Sequence, residues 1–288
     1  MAETVEFGKW VAEYDLQDGA RIGRLAYAGI DLLTTKPENF KAPETDYGLY
    51  ETRPVYGYDD CFPSVEQSMF PGREWEIPDH GELCWLPWEL EIQTNRLIFS
   101  VESRELPVLF KRILVFGESS LTWKFEVINK GERSLPFQHV IHPLMPLNDV
   151  TDIELPEFES VNNERGEEFY LKYPKDVKDF LLNVLPGDFY MLFVQGAKQG
   201  RIGWTYKNTL RILMDYPLDL FPGIGIWWNN SGYPDEEGCR RNECAFEPIS
   251  GRSSTLSEAY DDGLAPVAEP GKPFSWEIRW NLEIKQKD

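Results

Sequence analysis

Along much of the chain, apolar and polar residues change places at every second position. Leu121, Trp123, Phe125 and Val127 alternate with Thr122, Lys124 and Glu126, until Asn129-Lys130-Gly131 ends the run. Phe274, Trp276, Ile278, Trp280, Leu282 and Ile284 alternate in the same way with Ser275, Glu277, Arg279, Asn281 and Glu283. Successive side chains of a strand point to opposite faces, so each pattern predicts an antiparallel strand with one buried face. Weaker versions predict strands within Arg21–Leu33 (broken at Gly29), on either side of an Asn95-Arg96 turn, and over Phe110–Phe116. Further strands are expected at Phe189–Val194, Gly203–Tyr206, Leu210–Met214, Gly223–Asn230 and Cys244–Pro248. Val177, Phe180, Leu181 and Val184 have near-helical spacing and predict one short helix within Lys175–Leu185.

Asp152–Tyr173 is acidic and has no clear period, and three further stretches lack one. Thr35–Tyr50 is polar, carries Pro37 and Pro43, and reads as loop; Tyr233–Arg241 reads as a charged loop. Tyr58–Trp88 is dense in acids, aromatics and turn residues and also reads as loop, the kind of segment that carries chemistry on a rigid frame. A dozen or so short strands between Gly, Pro and Asn turns describe an all-β protein, a large antiparallel β-sandwich or barrel. There is no internal repeat or linker, so a single domain over residues 1–288 is expected.

Composition narrows the function. The net charge of −20 argues against nucleic-acid and anionic-membrane partners, which need basic patches. Aromatic residues are 14% of the chain, which suits both a β core and a site that stacks on flat ligand faces. Cys61, Cys84, Cys239 and Cys244 form no CxxC pair, and the start of the chain has neither a basic nor an apolar leader segment. Free thiols in a cytoplasmic protein are expected.

The acid–base candidates are few. The histidines are His80, His139 and His142. His80, between Asp79 and Gly81, is either an approachable loop residue or an ordinary surface histidine. His142 lies in the apolar run Val140-Ile141-His142-Pro143-Leu144, where burial would depress its pKa unless a carboxylate sits nearby. His139, an odd number of positions earlier, should point to the opposite face. With neither HxH nor HxxxH spacing, no metal site is expected. Glu247 closes the apolar strand Ala245-Phe246-Glu247-Pro248; buried there it would have a raised pKa, as a tuned general base does, whereas at the strand end it could simply meet solvent. Gly-x-Ser-x-Gly, GxGxxG and phosphate-loop motifs are absent.

An ordered set of segments resembles the aldose 1-epimerase (galactose mutarotase-like) superfamily, nearest its hexose-6-phosphate mutarotase and aldose-epimerase-like branch. Phe62-Pro63 and Ile77-Pro78-Asp79-His80-Gly81-Glu82, followed by Trp88, are similar to its first active-site loop. Trp123–Asn129, the Gly131 turn, His142-Pro143, Leu155-Pro156 and Phe246-Glu247-Pro248 follow in the expected order. The resemblance implies a β-supersandwich with a shallow sugar cleft. It implies Glu247 as the base at the anomeric hydroxyl, His142 as the acid at the ring oxygen and His80 as the residue that positions the sugar. One carboxylate and one imidazole suffice for acid–base catalysis, so no cofactor is expected.

The expected partner is a small-molecule sugar, with a homodimer allowed for. Asp60, Glu82, Trp85, Arg73, Trp228, Asn229 and Tyr233 are the expected substrate contacts. Because Asp59, Asp60 and Glu66 crowd Arg53 and Arg73, a neutral sugar is favoured over a phosphorylated one. Two other readings stand beside this one: a carbohydrate-binding protein without catalysis, and a glycosidase or lyase using Glu82 and Glu247 as paired carboxylates.

Overall fold

In this computed structural model, residues 2–37, 50, 53–234 and 239–285 are described. Most of the Thr35–Tyr50 run and the middle of the loop after Tyr233 lie outside them, so those two expectations have no structural counterpart here.

The clean alternations become the centre of an eight-stranded antiparallel sheet. Its strand order is Val150–Glu154, Arg201–Tyr206, Leu210–Asp215, Pro273–Ile284, Ser120–Asn129, Val108–Phe116, Arg96–Glu102 and Glu89–Gln93. Ser120–Asn129 pairs with Pro273–Ile284 so that Trp123 lies opposite Ile278 and Phe125 opposite Trp276. The apolar residues of both strands therefore fall on one face and are buried there.

Two six-stranded sheets cover that face. One contains Glu3–Phe7, Trp10–Asp15, Arg21–Tyr27, Tyr58–Cys61 and Val140–Pro143 in order, with Ile30–Asp31 paired to Arg21–Tyr27. The other runs Met145–Pro146, Asn242–Ile249, Gly223–Asn230, Phe189–Gln195, Ser160–Asn163 and Glu168–Phe169. Tyr58 of the first stacks on Trp123 of the eight-stranded sheet at 4.4 Å, and Phe246 of the second meets Trp204 at 5.3 Å. Val140–Pro143 packs against Asn242–Ile249, so the two smaller sheets meet along that line. The result is the expected all-β sandwich, with one continuous apolar cluster reaching from Trp10 to Leu282. The predicted helix occupies Pro174–Leu182, with Pro174 at its first position, where a missing N–H costs nothing. Among the described residues, no helix is long and apolar enough to cross a membrane. All four cysteines are free thiols.

Several elements depart from the sequence reading, among them the strands Val150–Glu154, Ser160–Asn163 and Glu168–Phe169, which lie where little or no period was read. Trp10, Ala12 and Tyr14 alternate with Val11, Glu13 and Asp15 in an N-terminal hairpin that was not anticipated. Leu256–Asp261 is a second short helix. Tyr58–Cys61, expected as loop, is a strand buried on both faces. Its polar residues conceal it, because a strand can bury Asp59 and Asp60 only when each side of it supplies a cation.

On the core side, Arg112 donates to Asp60 and to the Ala20 carbonyl, and Asp60 also binds Tyr58 Oη at 2.7 Å and His139 Nε2 at 3.0 Å. Arg112 and Asp60 are both fully enclosed, so losing one leaves an uncompensated buried charge. Arg112→Ala should therefore cost about 3–5 kcal/mol of unfolding free energy. Lys124→Ala, which breaks an exposed pair with Glu277, should cost under about 1 kcal/mol. Urea unfolding of the two variants checks the difference; equal losses would contradict it.

Candidate active site

Strand parity decides what faces the outer side of the two smaller sheets. In Asn242–Ile249, Phe246 points to the core and Glu247 to the opposite side. In Val140–Pro143, Ile141 joins the core and His142 faces outward. His139 faces inward among Phe110, Phe125 and Trp276, on the opposite side from His142 as its spacing predicts. Because the two strands adjoin, His142 Nε2 and Glu247 Oε1 stand 3.8 Å apart. They share a cleft of about 420 Å³ whose lining includes Tyr50, Asp79, His80, Trp227, Tyr233 and Arg241. A larger hollow of about 590 Å³ beside Asp215, Tyr216 and Trp276 contains neither imidazole nor thiol.

Glu247 owes its space to Gly225, its partner across the ladder. A Cβ on Gly225 would lie 3.3 Å from Glu247 Oε2 and 3.0 Å from the Met191 methyl. Burial raises the Glu247 carboxyl from its ordinary 4.5 to about 8. His142 moves the other way. Burial first, then the neighbouring positive charges of His80, Arg241 and Arg21, holds it well below its ordinary range. Near neutrality the pair thus holds one proton, and that proton sits on Glu247.

The far side of His142 is fixed by a buried relay. Tyr50 Oη donates to Asp59, and Asp59 is also ion-paired with Arg21 Nη1 at 2.9 Å. The single Tyr50 hydroxyl proton is used in that bond, so at the 3.4 Å contact between Tyr50 Oη and His142 Nδ1 the imidazole is the donor. Nδ1 then carries the proton of neutral His142, and the Nε2 lone pair faces Glu247.

His80 is held by a turn. Gly81 N donates to Pro78 O at 2.8 Å, and His80 itself has φ of 60°, a left-handed conformation that non-glycine residues adopt at a cost. Gly81 cannot be replaced freely, because a Cβ there would lie 2.0 Å from the Phe62 carbonyl oxygen. His80 Nδ1 pairs with Asp79 Oδ1 at 2.8 Å, and its ring stacks on Tyr50 at 3.6 Å. Tyr50 therefore orients both cleft histidines.

His80, His142, Glu247 and Tyr233 come together in the cleft; the other expected contacts do not. Asp60 points to the core, and its neighbour Asp59 is the carboxylate on the cleft side. Trp228 packs on Phe246 in the core, and its neighbour Trp227 lines the cleft. Both corrections are shifts of one residue along a strand. Glu82 is fully buried and receives Ser103 Oγ and Arg104 N, so the paired-carboxylate glycosidase reading loses one of its carboxylates. Trp85 packs in a small cluster with Tyr50, Cys84 and Leu144, beneath the Arg53 guanidinium. Arg73 is exposed and bonds the Glu105 carbonyl. Asn229 is buried, and its side chain holds the backbone of Gly232 and Tyr233.

The residues overlooked in the sequence are Tyr50, Asp59, Cys61 and Trp227. Asp59 and Trp227 would follow from correct strand parity. Cys61 carries no local signal, yet its sulfur and one ring nitrogen each of His80 and His142 all lie within 4.8 Å of one another.

No family model matches the chain, and no curated protein matches it. Solved structures do. A protein from Escherichia coli K12, assigned provisionally as an aldose 1-epimerase, superposes with a TM-score of 0.74 at 18% identity, covering 99% of each chain. A galactose mutarotase related enzyme from Lactobacillus acidophilus gives 0.67 at 17% identity, over 99% of this chain and 100% of that one. A galactose mutarotase-like protein from Lactobacillus casei gives 0.69 at 15% identity, over 98% and 100%. The chain has the galactose mutarotase-like fold.

The raised Glu247 pKa has a consequence for stability. Between pH 4.5 and about 8 folded Glu247 holds a proton that it has lost in the unfolded chain, so its own contribution to stability falls as pH rises through that window, while the depressed His142 opposes it below the ordinary imidazole range. The slope approaches about 1.4 kcal/mol per pH unit. Glu247→Gln should remove this slope and raise the melting temperature relative to wild type at pH 8, but not at pH 4.5, in paired thermal scans. Parallel pH–stability curves for the two proteins would contradict the raised pKa.

Proposed function

We propose that the chain is a mutarotase of the aldose 1-epimerase type, interconverting the α and β anomers of a neutral aldose by acid–base ring opening. The observation that carries this reading is the Glu247–His142 pair, 3.8 Å apart at the cleft and holding one proton between two groups of opposite role. A sugar oxygen about 2.8 Å from both groups can be reached by each of them.

As the carboxylate, Glu247 takes the proton of the anomeric hydroxyl while His142 gives a proton to the ring oxygen. The ring opens to the aldehyde, the C1–C2 bond rotates, and closure on the other face returns both protons. At rest the shared proton is on Glu247; the working arrangement places the same proton on His142. Sugar hydroxyls donating to Glu247 favour that exchange, because hydrogen bonds to the charged form stabilise it. Mutarotation has no net proton change, so the pair ends each turnover as it began.

Trp227, Tyr233 and Phe189 give the cleft an aromatic wall suited to the apolar face of a sugar, and His80 holds a hydroxyl. Arg241 is paired to Glu243 at 2.7 Å, and Glu243 and Asp79 face the same space, which disfavours a phosphate or carboxylate substituent. A sugar-binding protein without turnover would use the same wall but would have no use for the shared proton.

Polarimetry on freshly dissolved aldoses tests this reading. Glu247→Gln and His142→Ala should each lower kcat/KM by about a hundredfold or more while circular dichroism stays unchanged. Full activity in both variants would exclude the assignment. The wild-type pH profile should be bell-shaped. Its alkaline limb, near pH 8, reflects loss of the shared proton. Its acid limb, well below the ordinary imidazole range, reflects gain of a second proton by the pair. An alkaline limb that survives in Glu247→Gln would place that ionisation elsewhere.

A further inference from the structure

The thiol beneath the two cleft histidines has no part in the proposed proton transfers. Cys61 ends the buried strand Tyr58–Cys61, beside Val140 in the ladder, and is itself fully enclosed. Its Sγ and one nitrogen from each of His80 and His142 lie within 4.8 Å of one another. Three atoms so placed have a common point within about 2.8 Å of each, against about 2.0–2.3 Å for zinc–imidazole and zinc–thiolate bonds. A contraction of about 0.5–0.8 Å makes the triangle a coordination site.

The imidazoles are already oriented for it. His80 Nδ1 is tied to Asp79 Oδ1 at 2.8 Å, and His142 Nδ1 contacts Tyr50 Oη at 3.4 Å, with Asp59 behind it. That leaves Nε2 of each ring for a ligand bond, with an oxygen behind the other nitrogen, as in the carboxylate–histidine–metal arrangement that fixes tautomer and ring direction. The cleft carboxylate of Glu247, 3.8 Å from His142 Nε2, adjoins the remaining position. Two imidazoles and a thiolate select a borderline-soft ion over magnesium or calcium. The net charge of −20 also favours cation entry.

We propose that Cys61, His80 and His142 form a site for a zinc-class divalent ion, with the fourth position open to the cleft and to Glu247. On binding, the Cys61 thiol gives its proton to solvent and its sulfur bonds the metal as thiolate. Binding does not depend on the mutarotase reading; one consequence does. The ion takes up both histidines, so metal occupancy and sugar turnover should exclude each other.

Cobalt(II) added to the metal-free full-length protein is the test, because a thiolate–cobalt bond has its own near-ultraviolet charge-transfer band and tetrahedral cobalt its own visible bands. Both should rise to one equivalent and be displaced by zinc. In Cys61→Ser the charge-transfer band should vanish, although Cys84, Cys239 and Cys244 remain. In His80→Ala the band should persist, with affinity reduced at least about tenfold. No thiolate band in the wild type, a band that survives in Cys61→Ser, or unchanged affinity in His80→Ala would each overturn the proposal. Should Cys61→Ser fail to fold, the His80→Ala titration still decides. None of these readings uses sugar turnover, so failure of the metal site and failure of the mutarotase reading are separately visible.

Discussion

A carboxyl group moved out of water without a cation beside it keeps its proton, and the candidate site depends on that cost. Nothing offsets the burial of Glu247, which carries its pKa to about 8. Its carboxylate neighbours are treated differently. Asp59 is met by Arg21 and Asp60 by Arg112. Asp79 is disfavoured as an anion by burial, but the His80 hydrogen bond and charge hold it below its usual range. The sandwich thus supplies cations to the carboxylates that orient other groups and withholds one from the carboxylate that would exchange a proton. Such selective tuning is how one scaffold keeps acid and base roles apart.

The strand Tyr58–Cys61 shows how little sequence this takes. Four residues, all buried, serve two opposed networks. Tyr58 and Asp60 turn inward to Trp123, Arg112 and His139, tying the strand to the large sheet. Asp59 and Cys61 lie on the other face, where Asp59 supports Tyr50 and, through it, His142. A slip of one position would exchange the two networks and leave Asp60 without Arg112, an error worth several kcal/mol. The inner network therefore also fixes the register of the outer one.

The sandwich was legible because its main strands have one solvated face. Ser120–Asn129 and Pro273–Ile284 announce themselves by alternation. Strands buried on both faces do not alternate, so even where Gly223–Asn230 and Cys244–Pro248 were read as strands their parity was not fixed, and Trp10–Asp15 was missed although it does alternate. Tyr58–Cys61 passed for loop, and the neighbours Asp60 and Trp228 were chosen where parity places Asp59 and Trp227 at the cleft. His80, His142 and Glu247 were named from an ordered resemblance and an apolar setting, and they do meet. Their meeting is a product of long-range pairing, since Val140–Pro143 and Asn242–Ile249 lie about a hundred positions apart yet adjoin. No local spacing could report the approach of Cys61 to the histidines, for the same reason.

The protonation state of Glu247 at neutral pH tests this account most directly. Infrared difference spectra of wild type against Glu247→Gln should show, at pH 7, a protonated-carboxyl C=O stretch that belongs to Glu247. That band should give way to carboxylate bands with a midpoint near 8. A Glu247 that is already carboxylate at pH 7 and titrates near the ordinary 4.5 would contradict the shared-proton site and the chemistry drawn from it.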